Sequence, residues 1–433
     1  MRKQTKIGIV GLWHLGCVLS VVWSKLGFRV VGFDYSKKIV ESLIQDIPPI
    51  FEPHLKEMIK NARNRHALSF TNKIKLLNDC DFIFLAYDTP ILDNDKSDLT
   101  VLKRAVNDLG NILKDGAIFI VSSQVPVGTC KEFRVELQKK NPTLELVYSP
   151  ENLRLGEAIK VYLNPKRIII GADSDHARNK AISLFKNIQS RIITMNIASA
   201  EMVKHAINAF LANSIVFANH LADLCEVEGA DIVDVLKGVK TDPRIGKKAY
   251  LSPGIGFSGG TLGRDLYSLS KLNKSAKQES YLFESILKFN SERKKVIVNK
   301  VIDLLQGKLA KKTISILGLT YKPETSTLRR STPLEIAQLL AEKNAKLQVY
   351  DPKANYQELS KAQPFKICSS IDEAIFSSDL ILLLTEWDEF KEYDWEKGAK
   401  LVRNKVFFDP KNFLYDINLP EKGYRYLGSG FIK

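Results

Sequence analysis

Cysteine is scarce in this chain: five in 433 residues, at positions 17, 80, 130, 225 and 368. Their odd number and wide scatter exclude a disulfide framework and offer no metal-type spacing, so no metal centre is expected and a reducing, cytoplasmic setting fits best. Glycine and proline are also low, 24 and 16, and no tract is biased in composition, which excludes collagen-like, mucin-like and disordered chains. Any basic helix interleaved with aromatics is missing. Lys and Arg total 64 against 49 Asp and Glu, an excess of +15, but runs such as Arg293-Lys294-Lys295 and Lys311-Lys312 are short. Charge so diffuse reads as a lysine-rich solvated surface, and no nucleic-acid partner is expected. A long uninterrupted hydrophobic run is absent as well. Residues 7–23 come nearest, yet three glycines and His14 break them up. The stretch divides into strand-like KIGIVG, a glycine turn, an apolar piece from Cys17 to Trp23 and a second strand-like FRVVGFD. That is a strand-turn-helix-strand unit rather than a secretory signal or a membrane span, and no membrane association is expected.

What is present is a chain long enough, at about 150 residues per domain, for about three domains. Short apolar runs at Phe82 to Ala86, Ala117 to Val121, Leu146 to Tyr148 and Arg167 to Gly171 are bounded by breakers and separated by helix-length segments, the pattern of a doubly wound α/β domain. From Ser199 the period changes to that of a long helix, with apolar residues recurring from Met202 to Leu224. A Gly/Ser-rich stretch, Ser252 to Gly263, interrupts it, and helical segments resume from Leu266 to Leu305. Strand-like runs return at Thr313 to Leu319, Lys346 to Pro352, Leu380 to Trp387 and Lys405 to Pro410, predicting a second, smaller parallel sheet. The expected domains are 1–198, 199–305 and 306–433.

Three local patterns bear on chemistry. Gly11-Leu12-Trp13-His14-Leu15-Gly16 has the frame of a dinucleotide fingerprint, with Trp13 where the middle glycine should be. Its side chain must point away or displace the phosphates; an ordinary βαβ unit with no cofactor is the alternative. Asp34 ends the second strand 18 residues after Gly16, where a carboxylate accepts from a ribose 2′-hydroxyl and repels a 2′-phosphate, so NAD is preferred over NADP. On a helix, Glu201, Lys204 and Asn208 share one face. A buried lysine beside an amide can stabilise an alkoxide-like oxygen, whereas the bland reading is a solvent-facing stripe. Ser252 to Asp265 holds five glycines in fourteen residues, either close packing of backbone on a ligand or a plain flexible loop.

Together and in this order, these pieces resemble the nucleotide-sugar dehydrogenase family, the UDP-glucose and GDP-mannose dehydrogenases, over nearly the whole chain. The resemblance implies an α/β fold: two Rossmann-like doubly wound parallel-sheet domains joined by a long central helix and a helical middle domain. Thr89-Pro90 looks like the family's cofactor-side TP loop, and Tyr148 to Arg154 resembles its PEFLREG segment, so that Glu151 would lie in the active site with Leu153 beside the substrate. Lys204 and Asn208 would be catalytic. Asp242 to Gly246 is similar to the DxRIG segment, whose arginine, here Arg244, would reach the substrate phosphates of a neighbouring subunit; Tyr250 and Gly256 would also line the substrate. In the C-terminal nucleotide lobe, Lys322 would contact the sugar nucleotide and Arg329 the cofactor side. NAD, a UDP-sugar substrate, a homodimer across the central helix and a place in glycan-precursor synthesis are what the family implies.

The departures cluster around the chemistry. The family's GFGGSCFPKD reads GFSGGTLGRD from Gly256 to Asp265, so Thr261 stands in place of the nucleophilic cysteine. Arg264 replaces the lysine before Asp265, Gln124 replaces the threonine of an STVP segment on the cofactor side, and Leu155 replaces the second glutamate after Glu151. A thiol of pKa about 8.5 gives appreciable thiolate at neutral pH, whereas a hydroxyl needs an adjacent base. The sequence therefore predicts an enzyme whose oxidation stops at the aldehyde or proceeds through water, with a non-catalytic nucleotide-sugar binder as the other reading.

Overall fold

The computed structural model describes residues 4–90, 97–150, 153, 156–307, 309–359 and 362–432. The chain divides into two compact units, Met1–Ala206 and Ile207–Lys433, and the division falls inside one long helix, Ile197–Glu228.

The first unit is built on eight strands: β1 (Lys6–Val10), β2 (Arg29–Phe33), β3 (Leu68–Thr71), β4 (Phe82–Leu85), β5 (Ile118–Val121), β6 (Glu145–Tyr148), β7 (Ile168–Ala172) and β8 (Ile192–Met195). Their order is β3-β2-β1-β4-β5-β6-β7-β8, parallel throughout except where β6 meets β7. The central strands FIFL and IFIV are buried at every position because both faces of a parallel sheet are covered, which is why they carry no polar alternation. The order reverses between β1 and β4, so a crevice opens at their carboxyl ends, where doubly wound sheets take ligands. The helix after β1, His14–Lys25, is buried from Leu15 to Ser24. An all-round apolar helix is a buried helix, and this accounts for the membrane-like look of residues 7–23. Trp23 anchors it, with Phe28, Phe84 and Phe185 packed on its ring at 5.4–5.5 Å.

The second unit carries seven strands: β9 (Thr313–Leu317), β10 (Lys346–Tyr350), β11 (Lys366–Ile367), β12 (Leu380–Leu383), β13 (Val406–Asp409), β14 (Arg425–Gly428) and β15 (Phe431–Ile432). The order β11-β10-β9-β12-β13-β14-β15 repeats the reversal seen in the first sheet. Helices Thr261–Ser275 and Tyr281–Leu304 precede the sheet, and Thr332–Glu342 follows β9.

Several expectations need correction. The second sheet is not wholly parallel, since β14 and β15 form an antiparallel hairpin around Ser429-Gly430. Strands β3, β8, β11, β14 and β15 are not among the runs read from the sequence: β3 alternates buried and exposed, β8 is half-buried or exposed throughout, β14 opens on Arg425 and ends on Gly428, and β11 and β15 are two residues each. The helical segments expected from Leu266 to Leu305 are two helices, Thr261–Ser275 and Tyr281–Leu304, separated beside Lys277, whose φ is +57°. The first of them starts at Thr261, inside the glycine stretch, and a short helix Ile232–Val239 precedes that stretch. Among the described residues no helix is long and apolar enough to cross a membrane, and no group of three or more His, Cys, Asp or Glu is placed to hold a metal.

Candidate active site

In the first unit the two outer fingerprint glycines are obligatory for physical reasons. Gly11 has φ +98° and a Cβ there would lie 2.7 Å from the Tyr87 nitrogen; a Cβ on Gly16 would lie 1.7 Å from the Gly11 carbonyl oxygen. Trp13 stands at the N-cap of the helix His14–Lys25 and is 40% exposed, so its indole points out instead of filling the turn. The helix has no side-chain cap, leaving its first N–H groups for an anion. Asp34 is buried, and its carboxylate accepts from the Leu12 N–H and the Ser36 N–H, both at 2.8 Å. Burial pushes its carboxyl above the usual range while those two bonds pull it back. With acceptor capacity left, Asp34 fits a ribose, and the glycine turn fits a pyrophosphate. On the neighbouring β4 and β5 ends, the Thr89 hydroxyl donates to the Gln124 carbonyl at 2.8 Å, with Pro90 exposed beside it.

The polar face of the long helix does not behave as a stripe. Glu201 is 1% exposed and accepts from the Gly128 and Cys130 N–H groups at 2.7 and 2.8 Å, capping the helix Thr129–Lys140. Lys204 is half-buried. Asn208 is buried, and its amide donates to Asp265 at 2.5 Å. The solvent-facing alternative is therefore wrong, and Glu201 serves structure while Asn208 joins a carboxylate. Glu151 lies outside the described residues; Leu153 is half-buried against the core of the first unit.

In the second unit Thr261 is the first residue of its helix and is exposed. One turn on, Asp265 is completely buried, with the Arg264 guanidinium at 3.7 Å and the Asn208 amide on its other oxygen. None of the cysteines stands in for a nucleophile: all five are buried, and burial pushes each thiol above its ordinary range. Gly256, at φ +89°, leads into this turn. Arg244 and Tyr250 are exposed, and the Arg244 guanidinium beside Asp242 holds that carboxyl below the usual range. After β9, Gly318 has φ +88° and a Cβ there would lie 2.5 Å from the Thr385 nitrogen. Lys322 follows, half-buried with its ammonium 5.7 Å from the Tyr321 ring centre, and Arg329 is exposed. Asp351, at the end of β10, accepts on one oxygen from the Leu319 N–H (2.7 Å), the Thr320 N–H (2.9 Å), the Thr320 hydroxyl (3.0 Å) and the Trp387 indole (3.2 Å). Its other oxygen accepts from the Lys353 and Ala354 N–H groups, both at 2.9 Å.

Residues that sequence reasoning passed over hold the glycine stretch. Asn219 accepts from the Gly254 N–H at 2.7 Å, and Arg293 donates to the Gly254 carbonyl at 3.0 Å. Arg293 belongs to the run taken for solvated surface, yet it is 1% exposed and paired with Asp223. The available signal was asparagine in helix interiors, where it is unfavourable unless its amide has work to do.

Three domain families match along the chain, all of the UDP-glucose/GDP-mannose dehydrogenase family: its NAD binding domain over residues 5–189, its central domain over 198–292 and its UDP binding domain over 315–416. The chain is 33% identical over 431 residues to the UDP-glucose 6-dehydrogenase TuaD of Bacillus subtilis, covering 98% of this chain and 93% of that one. It is 31% identical to the UDP-glucose 6-dehydrogenase of Rickettsia typhi over 98% and 99% of the two chains. Among solved structures, the UDP-glucose dehydrogenase of Pyrobaculum islandicum superimposes with a TM-score of 0.88 at 27% identity, covering 99% and 98%. The UDP-D-ManNAc dehydrogenase of Pyrococcus horikoshii gives 0.87 at 26%, covering 98% and 99%. With two reversed-order sheets, a fingerprint turn that fits NAD and relatives matched almost end to end, the chain belongs to the UDP-glucose/GDP-mannose dehydrogenase family of NAD-dependent nucleotide-sugar oxidoreductases.

Proposed function

We propose that this chain oxidises a hydroxyl of a UDP-sugar, C6 in the simplest case, and that it does so without a protein thiol, so that the reaction stops at the aldehyde unless water carries it further. The observation that supports this most is Thr261 exposed at the start of its helix while every cysteine is buried. Bound NAD supplies the hydride acceptor. Gly11, Gly16, Asp34, Thr89, Pro90, Gln124, Arg264 and Arg329 are the residues assigned to its side, with Trp13 flanking the pyrophosphate turn. Lys322, Leu153, Tyr250, Gly256 and a partner copy's equivalent of Arg244 are assigned to the sugar nucleotide.

In the first oxidation the sugar hydroxyl loses its proton as its carbon loses a hydride. Lys204 holds positive charge near the oxygen as it gains negative character, and Asn208, oriented by Asp265, donates to the same oxygen or to a water that removes the proton. The hydroxyl of Thr261 does not add readily to the aldehyde carbon, because a threonine hydroxyl stays protonated without an adjacent base. A second oxidation would then require the aldehyde to take up water, giving a gem-diol that loses a hydride to a second NAD and a proton to solvent to yield the acid. Glu151 is assigned to that water. The product, an aldehyde or a uronate on a nucleotide, would serve glycan-precursor synthesis in the cytoplasm.

The test is the NADH formed per UDP-glucose consumed, with the product identified by mass. One per sugar is expected. Two would show that hydration supports the second step without a thiol, and no turnover with any UDP-sugar would overturn the proposal.

We also propose a homodimer across the long helix. Phe210, Phe217, Leu224 and Val227 are 51–78% exposed, and the first three recur every seventh residue, which puts them on one stripe. Asn213 and His220 lie between them, so the order apolar-polar-apolar-polar-apolar reads the same in both directions about Phe217, as an antiparallel pair of copies requires. Phe217→Glu is expected to convert the dimer to a monomer in light scattering; an unchanged mass would exclude this seam.

A further inference from the structure

The backbone ahead of Thr261 is held peptide by peptide. Besides the two bonds to Gly254, the Asn290 side chain takes both polar groups of Phe257: its oxygen accepts from the Phe257 N–H at 2.7 Å, and its amide donates to the Phe257 carbonyl at 3.0 Å. One side chain thus pairs with a residue as a neighbouring strand would. The fit depends on Gly256, since a Cβ there would lie 2.5 Å from the Asn290 oxygen and its φ of +89° disfavours any side chain. Asn290 sits inside the helix Tyr281–Leu304, where asparagine costs helix stability, so the position is held at a cost for the sake of the bonds. Arg293, one turn along the same helix, is itself fixed by Asp223 at 2.6 Å and by the Ser429 hydroxyl at 3.3 Å. On the far side of Phe257 the Gly259 N–H donates to the Arg330 carbonyl at 3.0 Å, and Ser258 accepts from the Thr332 N–H at 3.1 Å. The loop is tied on both sides, and its next residues begin the helix that carries Thr261 and Asp265.

We propose that Asn290 is a positioning residue for the nucleotide sugar: by fixing both polar groups of Phe257 it sets the backbone of residues 256–260 against which the sugar docks, and it acts on sugar binding without acting on NAD. This rests on the functional reading above, in which that loop meets the sugar. A side chain that only stabilised the fold would move both ligands, or neither.

The experiment is calorimetric titration of UDP-glucose and, separately, of NAD into the full-length wild type and the variants Asn290→Ala and Asn290→Asp, with melting temperatures alongside. Asn290→Ala is expected to weaken UDP-glucose at least tenfold and to leave NAD within twofold. Asn290→Asp at pH 8 keeps the acceptor and loses the donor, so it too binds UDP-glucose poorly. As the pH is lowered towards 4, where about half of an ordinary aspartate carboxyl is protonated, the side chain regains a donor, and its affinity relative to wild type recovers. If Asn290→Ala does not fold, the pH recovery of Asn290→Asp carries the test. UDP-glucose affinity within twofold of wild type, equal weakening of both ligands, or no recovery at low pH would each overturn the inference. A wild type that binds NAD but not UDP-glucose would remove the functional reading, and this inference with it.

Discussion

Lys204→Ala is expected to lower kcat for sugar oxidation by about 10²–10³-fold, the cost of removing one group aimed at a developing oxyanion. In the proposed mechanism the charge on Lys204 acts as the sugar oxygen becomes negative, so kcat and kcat/KM should fall together while UDP-glucose and NAD affinities change little. Lys204→Arg should not restore the rate, because a planar guanidinium cannot place a point charge where an ammonium stood. Lys204 is half-buried on a helix continuous from Ile197 to Glu228, and alanine is a strong helix former, so the helix is expected to persist, with an unchanged melting temperature separating a chemical loss from a structural one. Single-turnover NADH formation with saturating UDP-glucose is the measurement. A variant retaining more than about a tenth of the wild-type rate would remove Lys204 from this role.

Thr261→Cys is expected to change the outcome of the reaction as well as its rate, raising NADH formed per sugar from one to two. The new thiol would stand exposed at the first position of a helix, where unpaired N–H groups and the helix dipole lower a thiol's pKa. Addition of that thiolate to the aldehyde gives a thiohemiacetal, hydride loss gives a thioester, and water releases the acid and frees the thiol. The five native cysteines have the opposite environment, so the wild type should resist iodoacetamide while Thr261→Cys is inactivated by it. Full alkylation with the product still an aldehyde would mean that Gln124, Leu155 or Arg264 also blocks the second step. A wild type inactivated by iodoacetamide at the same rate would refute the thiol-free reading.

The legible parts of this molecule were those where local pattern and tertiary role coincide. The apolar strands of both sheets, the fingerprint turn, Asp34 and the long helix all announce themselves because burial and backbone geometry leave few residues acceptable at those positions. Edges were illegible: β11 and β15 are two residues each, too short for any period to register. The polar face of the long helix was half-read. Spacing placed Glu201 with Asn208, but only the fold brings the Thr129–Lys140 helix within reach of Glu201 and Asp265 within reach of Asn208, 57 residues further along the chain. Arg293 was misread for a related reason. A cation in a basic run looks solvated until Asp223, 70 residues earlier, is folded against it.

The two carboxylates that follow the second strand of each sheet hold the same place in different company. Gly11 and Gly318 make the same left-handed turn after the first strand, each followed by a leucine whose N–H is bound by the aspartate, Asp34 or Asp351, closing the next strand. Turn, strand order and carboxylate are thus alike in the two lobes. Their hydrogen bonding differs. Asp34 receives two donors and keeps lone pairs to spare, whereas Asp351 receives six on a group with about four acceptor sites, the indole of Trp387 among them. A ribose arriving at the second turn would find its acceptor already spent, so Asp351 makes a rigid corner where Asp34 stays open to a ligand.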